Sequence, residues 1–262
     1  MRKGDSVRDF TFRCRIDGQP YSRGLLQTIR YHRDIHVLHE LKRAGAEVAI
    51  DGRTLSHDDI NLLGADEAFA VSVAVRRSLT ADDIRMMFKQ QLLASDRRWR
   101  DMDAASDGLP LQACVAEIEI TGISFEAFVE DMKTQTPFLA DYPALHPDHF
   151  FITKHGETLQ GVEIFGMYGG PSEMRLSPVP DLVVPIERDE TYPFAFGAVA
   201  TLVDGTNANA PAFMQMKPIK SGLAVKAGCC FPAAAPKEMV EGHKLHLAIE
   251  FLGFATTAAA AH

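Results

Sequence analysis

Glu241-Gly-His-Lys-Leu-His-Leu-Ala-Ile-Glu250, running on into Phe251-Leu-Gly-Phe-Ala255, decides how the rest of this chain is read. As a helix, the stretch puts His243, His246 and Glu250 at i, i+3 and i+7, on one face. Leu245, Leu247, Ala248, Ile249, Phe251, Leu252 and Phe254 crowd the remaining directions, the pattern of a buried helix. Burying a lone carboxylate costs on the order of several kcal/mol, so Glu250 needs a cation, a proton or a metal ion beside it. The partner has to come from elsewhere in the chain.

Working back from that helix, residues 113–120 alternate as a strand, and Ser124 caps a short helix carrying Phe125, Phe128, Val129 and Met132. Pro137 opens a second short segment. From about residue 150 the chain turns to strands, at roughly 150–153, 160–167, 172–177, 181–186, 194–203, 212–217 and 221–231, separated by Gly, Pro or Asp-Gly. Gly166-Met-Tyr-Gly-Gly-Pro171 lacks the lysine and helix of a phosphate loop and reads as a hairpin turn. A strand, two short helices, a run of antiparallel strands and a long last helix is the order of a helix grip of the Bet v 1 or START-like kind. The expected fold class is therefore α+β, an antiparallel sheet curved around the C-terminal helix with a cavity between them.

Three places offer metal ligands or acid–base groups: the helix face of His243, His246 and Glu250; Glu163, inside the apolar Gly161-Val-Glu-Ile-Phe165; and Leu145-His-Pro-Asp-His149. Glu163 and Glu250 facing each other in an apolar cavity repel and resist ionisation, and a divalent cation removes that conflict. Histidine and glutamate without thiolate suit Zn²⁺, ahead of Mn²⁺ or Fe²⁺. The bland readings stand beside this one. His-Pro-Asp-His is ordinary turn chemistry, Glu163 on the outer strand face needs no partner, and His246 with Glu250 makes a surface i, i+4 pair worth only ~0.2–0.5 kcal/mol.

Ile118-Glu-Ile-Thr-Gly-Ile-Ser-Phe-Glu-Ala-Phe128, Tyr142-Pro-Ala-Leu-His-Pro-Asp-His149, Val162-Glu163 and His246-Leu-Ala-Ile-Glu-Phe-Leu252 together resemble the 2,4-diacetylphloroglucinol hydrolase and phloretin hydrolase family over about residues 113–254. The resemblance implies a zinc ion held by His149, Glu163, His246 and Glu250, with His146 as the alternate to His149. It implies hydrolysis of a carbon–carbon bond between an acyl group and a phenolic ring or related β-diketone-like compound, with His243 in an outer or proton-transfer role. Tyr168, Tyr192 or Asn207 would orient phenolic hydroxyls. The same fold also houses non-enzymatic carriers of hydrophobic ligands and metal-free polyketide cyclases or aromatases, which are the alternatives. The implied partner is a small phenolic or diketone substrate; a homodimer is left open.

Residues 1–110 read as a separate α+β module with a linker, weakly similar to a β-grasp, and residues 111–262 as the metal-binding domain. The module shows a strand at 9–16, a helix at about 25–43 and strands at 46–50 and 69–75. A helix follows the Thr80 N-cap, and Asp96–Asp101 begins the linker. Residues 1–100 carry 18 Lys and Arg against 14 Asp and Glu, and the remainder 9 against 21. That balance, −8 in total, excludes a nucleic-acid platform. His32, His36 and His39 with Glu40 form a rival ligand face, opposed by Arg30, Arg33 and Arg43. Cys14, Cys114, Cys229 and Cys230 make no metal-type spacing and read as reduced thiols of a cytoplasmic protein. The sequence has neither an apolar leader nor a membrane-spanning run.

Overall fold

The computed structural model describes residues 9–134 and 141–261. The segment expected at Pro137 lies outside them.

Strand β1 (Thr11–Ile16) buries Phe12, Cys14 and Ile16 and exposes the residues between, as the alternation requires. Asp17 and Gly18, both at positive φ, turn it into β2 (Gln19–Tyr21). Helix α1 (Arg23–Arg43) starts on the Ser22 side chain, which accepts the Leu25 N–H. After the two-residue strands β3 (Ala49–Ile50) and β4 (Arg53–Thr54) come four helices: α2 (His57–Asn61), α3 (Ala65–Ser78), α4 (Ala81–Met87) and α5 (Lys89–Ala105).

Two sequence expectations change here. The strand expected at 69–75 is the middle of α3: Glu67 accepts the Gly64 N–H at the helix start, and Ala68, Val71 and Val75 fall at helical spacing on the buried side. Alternation of Phe69, Val71, Val73 and Val75 mimicked a strand because the run is short and apolar but for Ser72. The charged run at 96–101 is helical as well, with Trp99 fully buried beneath its arginines.

The second half follows as β5 (Gln112–Thr121), α6 (Phe125–Thr134), α7 (Tyr142–Leu145), β6 (His149–His155), β7 (Thr158–Glu163), β8 (Ser172–Pro178), β9 (Phe194–Leu202), β10 (Ala212–Ile219), β11 (Gly222–Phe231) and the long α8 (Lys237–Ala261). Residues 181–186, expected as a strand, form a loop. Nine strands make one antiparallel sheet in the order β2-β1-β5-β11-β10-β9-β8-β7-β6. The pairing of β1 with β5, from Thr11↔Thr121 to Arg15↔Glu117, runs across the boundary expected near Pro110. The fold is thus α+β, with one large sheet and a C-terminal helix.

Helix α8 packs on β5, β1 and β11 and on the short turn Phe165–Met167. One core lies between it and the sheet, through Ile118, Ile120, Val225, Phe231, Ile249 and Phe251 among others. A second joins α1, α3 and α4 to the opposite face of β6 and β7, through Leu38, Val71, Phe88, Phe150, Val162 and Ile164. Strands β6 and β7 are therefore covered on both faces, and their alternate side chains enter different cores. Two glycines let the backbone close around the helix. A Cβ on Gly242 would come within 1.9 Å of the Gly166 carbonyl oxygen, and one on Gly253 within 2.4 Å of that of Leu145.

Candidate metal centre

His149 and Glu163 are direct cross-strand partners at the joined ends of β6 and β7, beside a register shift between His149 and Phe151. Val162 and Ile164 go to the helical side, so Glu163 faces α8. From α8, His246 and Glu250 reach the same point, one turn apart. His149 Nε2 is the hub: it lies 3.0 Å from His246 Nε2, 3.4 Å from Glu163 Oε2 and 3.9 Å from Glu250 Oε1. Among the described residues, the set whose ligand atoms all lie within 4.8 Å of one another is His146, His149 and His246; Glu163 and Glu250 approach it through His149 Nε2.

The histidines are tied in definite tautomers. His149 Nδ1–H donates to the Tyr142 carbonyl at 3.3 Å, which leaves the Nε2 lone pair for a ligand. His146 Nδ1 accepts the Asp148 N–H at 3.0 Å, so a neutral His146 carries its proton on Nε2, and that buried atom has no hydrogen-bond partner. Both members of the His146/His149 pair are fully buried, and one nitrogen from each of His146, His149 and His246 lies within 4.8 Å of the others. That triad has the geometry to hold a metal ion. Within it, His149 turns its Nε2 toward His246, Glu163 and Glu250, while His146 stacks on the His246 ring with centroids 3.9 Å apart.

Burial holds all three imidazoles well below the usual histidine range and therefore neutral. It also pushes the Glu163 carboxyl up to about 7, although the Tyr142 hydroxyl, donating to Oε2 at 2.8 Å, pulls the other way. Burial, and then Glu163 itself, push Glu250 up to about 8. Two carboxyls that resist ionisation thus lie beside neutral imidazoles, and His146 Nε2 and His246 Nδ1 are buried without a hydrogen-bond partner.

Glu163, Glu250, His243 and His246 form the polar end of a cavity of about 150 Å³, whose walls include Ile152, Leu159, Met174, Leu176 and Ala200. His243 sits against Phe165, and its Nδ1 accepts the Gly166 N–H at 3.1 Å. Its remaining polar group is Nε2–H. Tyr168, Tyr192 and Asn207, expected as substrate contacts, are not among the lining residues. Tyr192 lies under Lys217 and Lys226, and Asn207 bonds Asn209 on an exposed loop.

The rival face on α1 does not assemble: His39 pairs with His57 and Asn61 at the surface, and Glu40 with Arg43. All four cysteines are free and buried. No helix among the described residues is long and apolar enough to cross a membrane. Sequence reasoning missed Tyr142, which stacks on the His149 ring with centroids 3.9 Å apart, orients it through its carbonyl and holds Glu163 through its hydroxyl. Its place seven residues before His149 follows no spacing rule. No protein-family model matches the chain, and no curated protein matches it significantly.

Proposed function

We propose that this protein is a zinc-dependent hydrolase of the helix-grip kind that cleaves the carbon–carbon bond between an acyl group and a phenolic ring or a related β-diketone-like compound. The observation that carries the reading is the approach of His246, Glu163 and Glu250, which line an apolar cavity, to His149 Nε2 behind them. Those four residues would hold the ion. When bound, Zn²⁺ supplies Lewis-acid polarisation of a carbonyl and lowers the pKa of water.

The chain's own residues supply the rest. Tyr142 keeps the imidazole of His149 turned with Nε2 inward and fixes one oxygen of Glu163. Burial holds His243 down to about 3, so at neutral pH it offers an uncharged Nε2–H to an oxygen of the bound ring. In the net reaction water is divided: its hydroxyl joins the acyl carbon to give a carboxylic acid, and its proton joins the ring carbon released from that bond. A cavity of about 150 Å³ matches those that hold a single benzene ring, which favours monocyclic substrates over fused polyketides. Free thiols fit a reducing cytoplasm.

The apolar walls also favour a second reading, a carrier that holds a hydrophobic ligand without chemistry. Metal analysis of protein purified without chelators separates the two: about one equivalent of zinc per chain is expected, and less than about half an equivalent sinks the hydrolase reading. Acylphloroglucinols should then release carboxylic acid with the zinc-loaded protein and not after zinc removal. Release unchanged by zinc removal counts equally against the proposal.

A further inference from the structure

The two histidines of Leu145-His-Pro-Asp-His149 lie on a buried connection, and buried backbone groups outside helices and sheets need partners from somewhere. The N-terminal helices provide them as arginines. Arg76 on α3 is fully buried, and its Nη1 donates to the carbonyl oxygens of His146 at 2.8 Å and of His149 at 2.6 Å. The same guanidinium is held by the Ser72 carbonyl at 3.1 Å and the Ser72 hydroxyl at 3.0 Å, with Asp34 of α1 3.8 Å away. Arg33 of α1 donates to Asp148 at 2.6 Å, and Asp148 in turn directs its own N–H to His146 Nδ1. Arg30 of α1 reaches the Ala144 carbonyl, and Arg77 of α3 pairs with Asp141.

We infer that Arg76 is a positioning residue for the metal centre: by pinning both carbonyls that flank the His-Pro-Asp-His turn, it sets the direction of His149, with Arg33 securing the turn's middle through Asp148. On this account the helices α1 and α3 are the frame of the ligand-bearing segment. A guanidinium suits the task because its fixed fork meets three carbonyls and a hydroxyl at once, one acceptor more than the three N–H groups of an ammonium can serve. The inference rests on the metal-centre reading for its consequence, since the residue it orients is a proposed ligand.

The test uses the full-length protein. Arg76→Met alone would strand Asp34, so it is paired with Asp34→Asn; Arg76→Lys retains the charge beside Asp34 and serves as the conservative variant. Zinc affinity is measured by competition with a chromophoric chelator, and the tautomer of His149 in the metal-free protein by the ¹⁵N shifts of its ring. With the fold confirmed by near-ultraviolet circular dichroism, the double variant should bind zinc roughly 10- to 100-fold more weakly and lose the uniform Nδ1–H tautomer. Arg76→Lys should fall between it and wild type. A folded double variant, or Arg76→Lys if the double variant does not fold, with both affinity and tautomer unchanged overturns the inference. If the wild type binds no zinc, the metal reading fails by itself, and the tautomer decides the role of Arg76.

Discussion

Replacing Glu250 by Gln tests the buried carboxylate pair through stability rather than through chemistry. The side chain keeps its shape and loses its ability to ionise. In the folded, metal-free protein the Glu250 carboxyl is raised from 4.5 to about 8. A group whose folded pKa is raised binds its proton more tightly when folded, so its contribution is full below the unfolded value and is lost as pH rises through the folded one. At about pH 8.5 the whole shift counts against the metal-free wild type. At roughly 1.4 kcal/mol per unit, and discounted because the side chain retains 16% exposure, the penalty is about 4 kcal/mol. For a chain of this length that corresponds to a Tm change on the order of 10 °C. Metal-free Glu250→Gln should therefore melt well above metal-free wild type at about pH 8.5, and within about 1 kcal/mol of it at about pH 5, where both side chains are neutral. Saturating zinc should reverse the order, because binding stabilises only the protein that retains the ligand. Differential scanning calorimetry at both pH values, with and without zinc, reads all four cases. A metal-free variant equally stable or less stable than wild type at high pH, or one that gains as much from zinc, would refute the reasoning.

Tyr142→Phe removes the hydroxyl that holds Glu163 Oε2, so Glu163 should titrate higher still and zinc affinity near neutral pH should fall about tenfold; a chelator competition titration that finds no change argues that the hydroxyl is idle. Gly253→Ala drives a methyl to within 2.4 Å of the Leu145 carbonyl and should cost about 2–3 kcal/mol in chemical denaturation while weakening zinc binding, because α7 leads directly into His146. On the acid side, His146, His149, His243 and His246 are all depressed, so their contribution is present above the unfolded value near 6.5 and lost as pH falls below it. The metal-free protein should therefore be most stable near pH 6.5, and a urea series that finds stability rising steadily toward pH 8 would contradict the carboxylate assignments.

The features legible in the sequence were those carried by short periods. The helix bearing His243, His246 and Glu250 declares itself through spacing, and β1 and β5 through alternation. Glu163 and Glu250 stand out against apolar neighbours, and the set of four proposed ligands followed from the family resemblance. What stayed hidden depends on pairing between distant segments. Nothing local says that β1 joins β5, since any half-buried strand offers the same edge. Arg76 follows a run that reads as a strand and drew no expectation, yet it is buried because its partners are carbonyls some 70 residues away, which no side-chain pattern announces. The different tautomers of His146 and His149 are set by the Asp148 N–H and the Tyr142 carbonyl rather than by residue type.

The separation between the two halves of the centre also bears on how the protein is made. His149 and His246 meet across 97 residues, and the helix that carries His246 comes after every other described element. During synthesis the first three helices, the arginines they carry and the whole sheet emerge before the closing helix does, so the pocket stands open on the ribosome. The donor set becomes complete only when that helix docks. A metal ion captured there would have its binding energy delivered to the docking of that helix, a step that joins segments far apart in the chain.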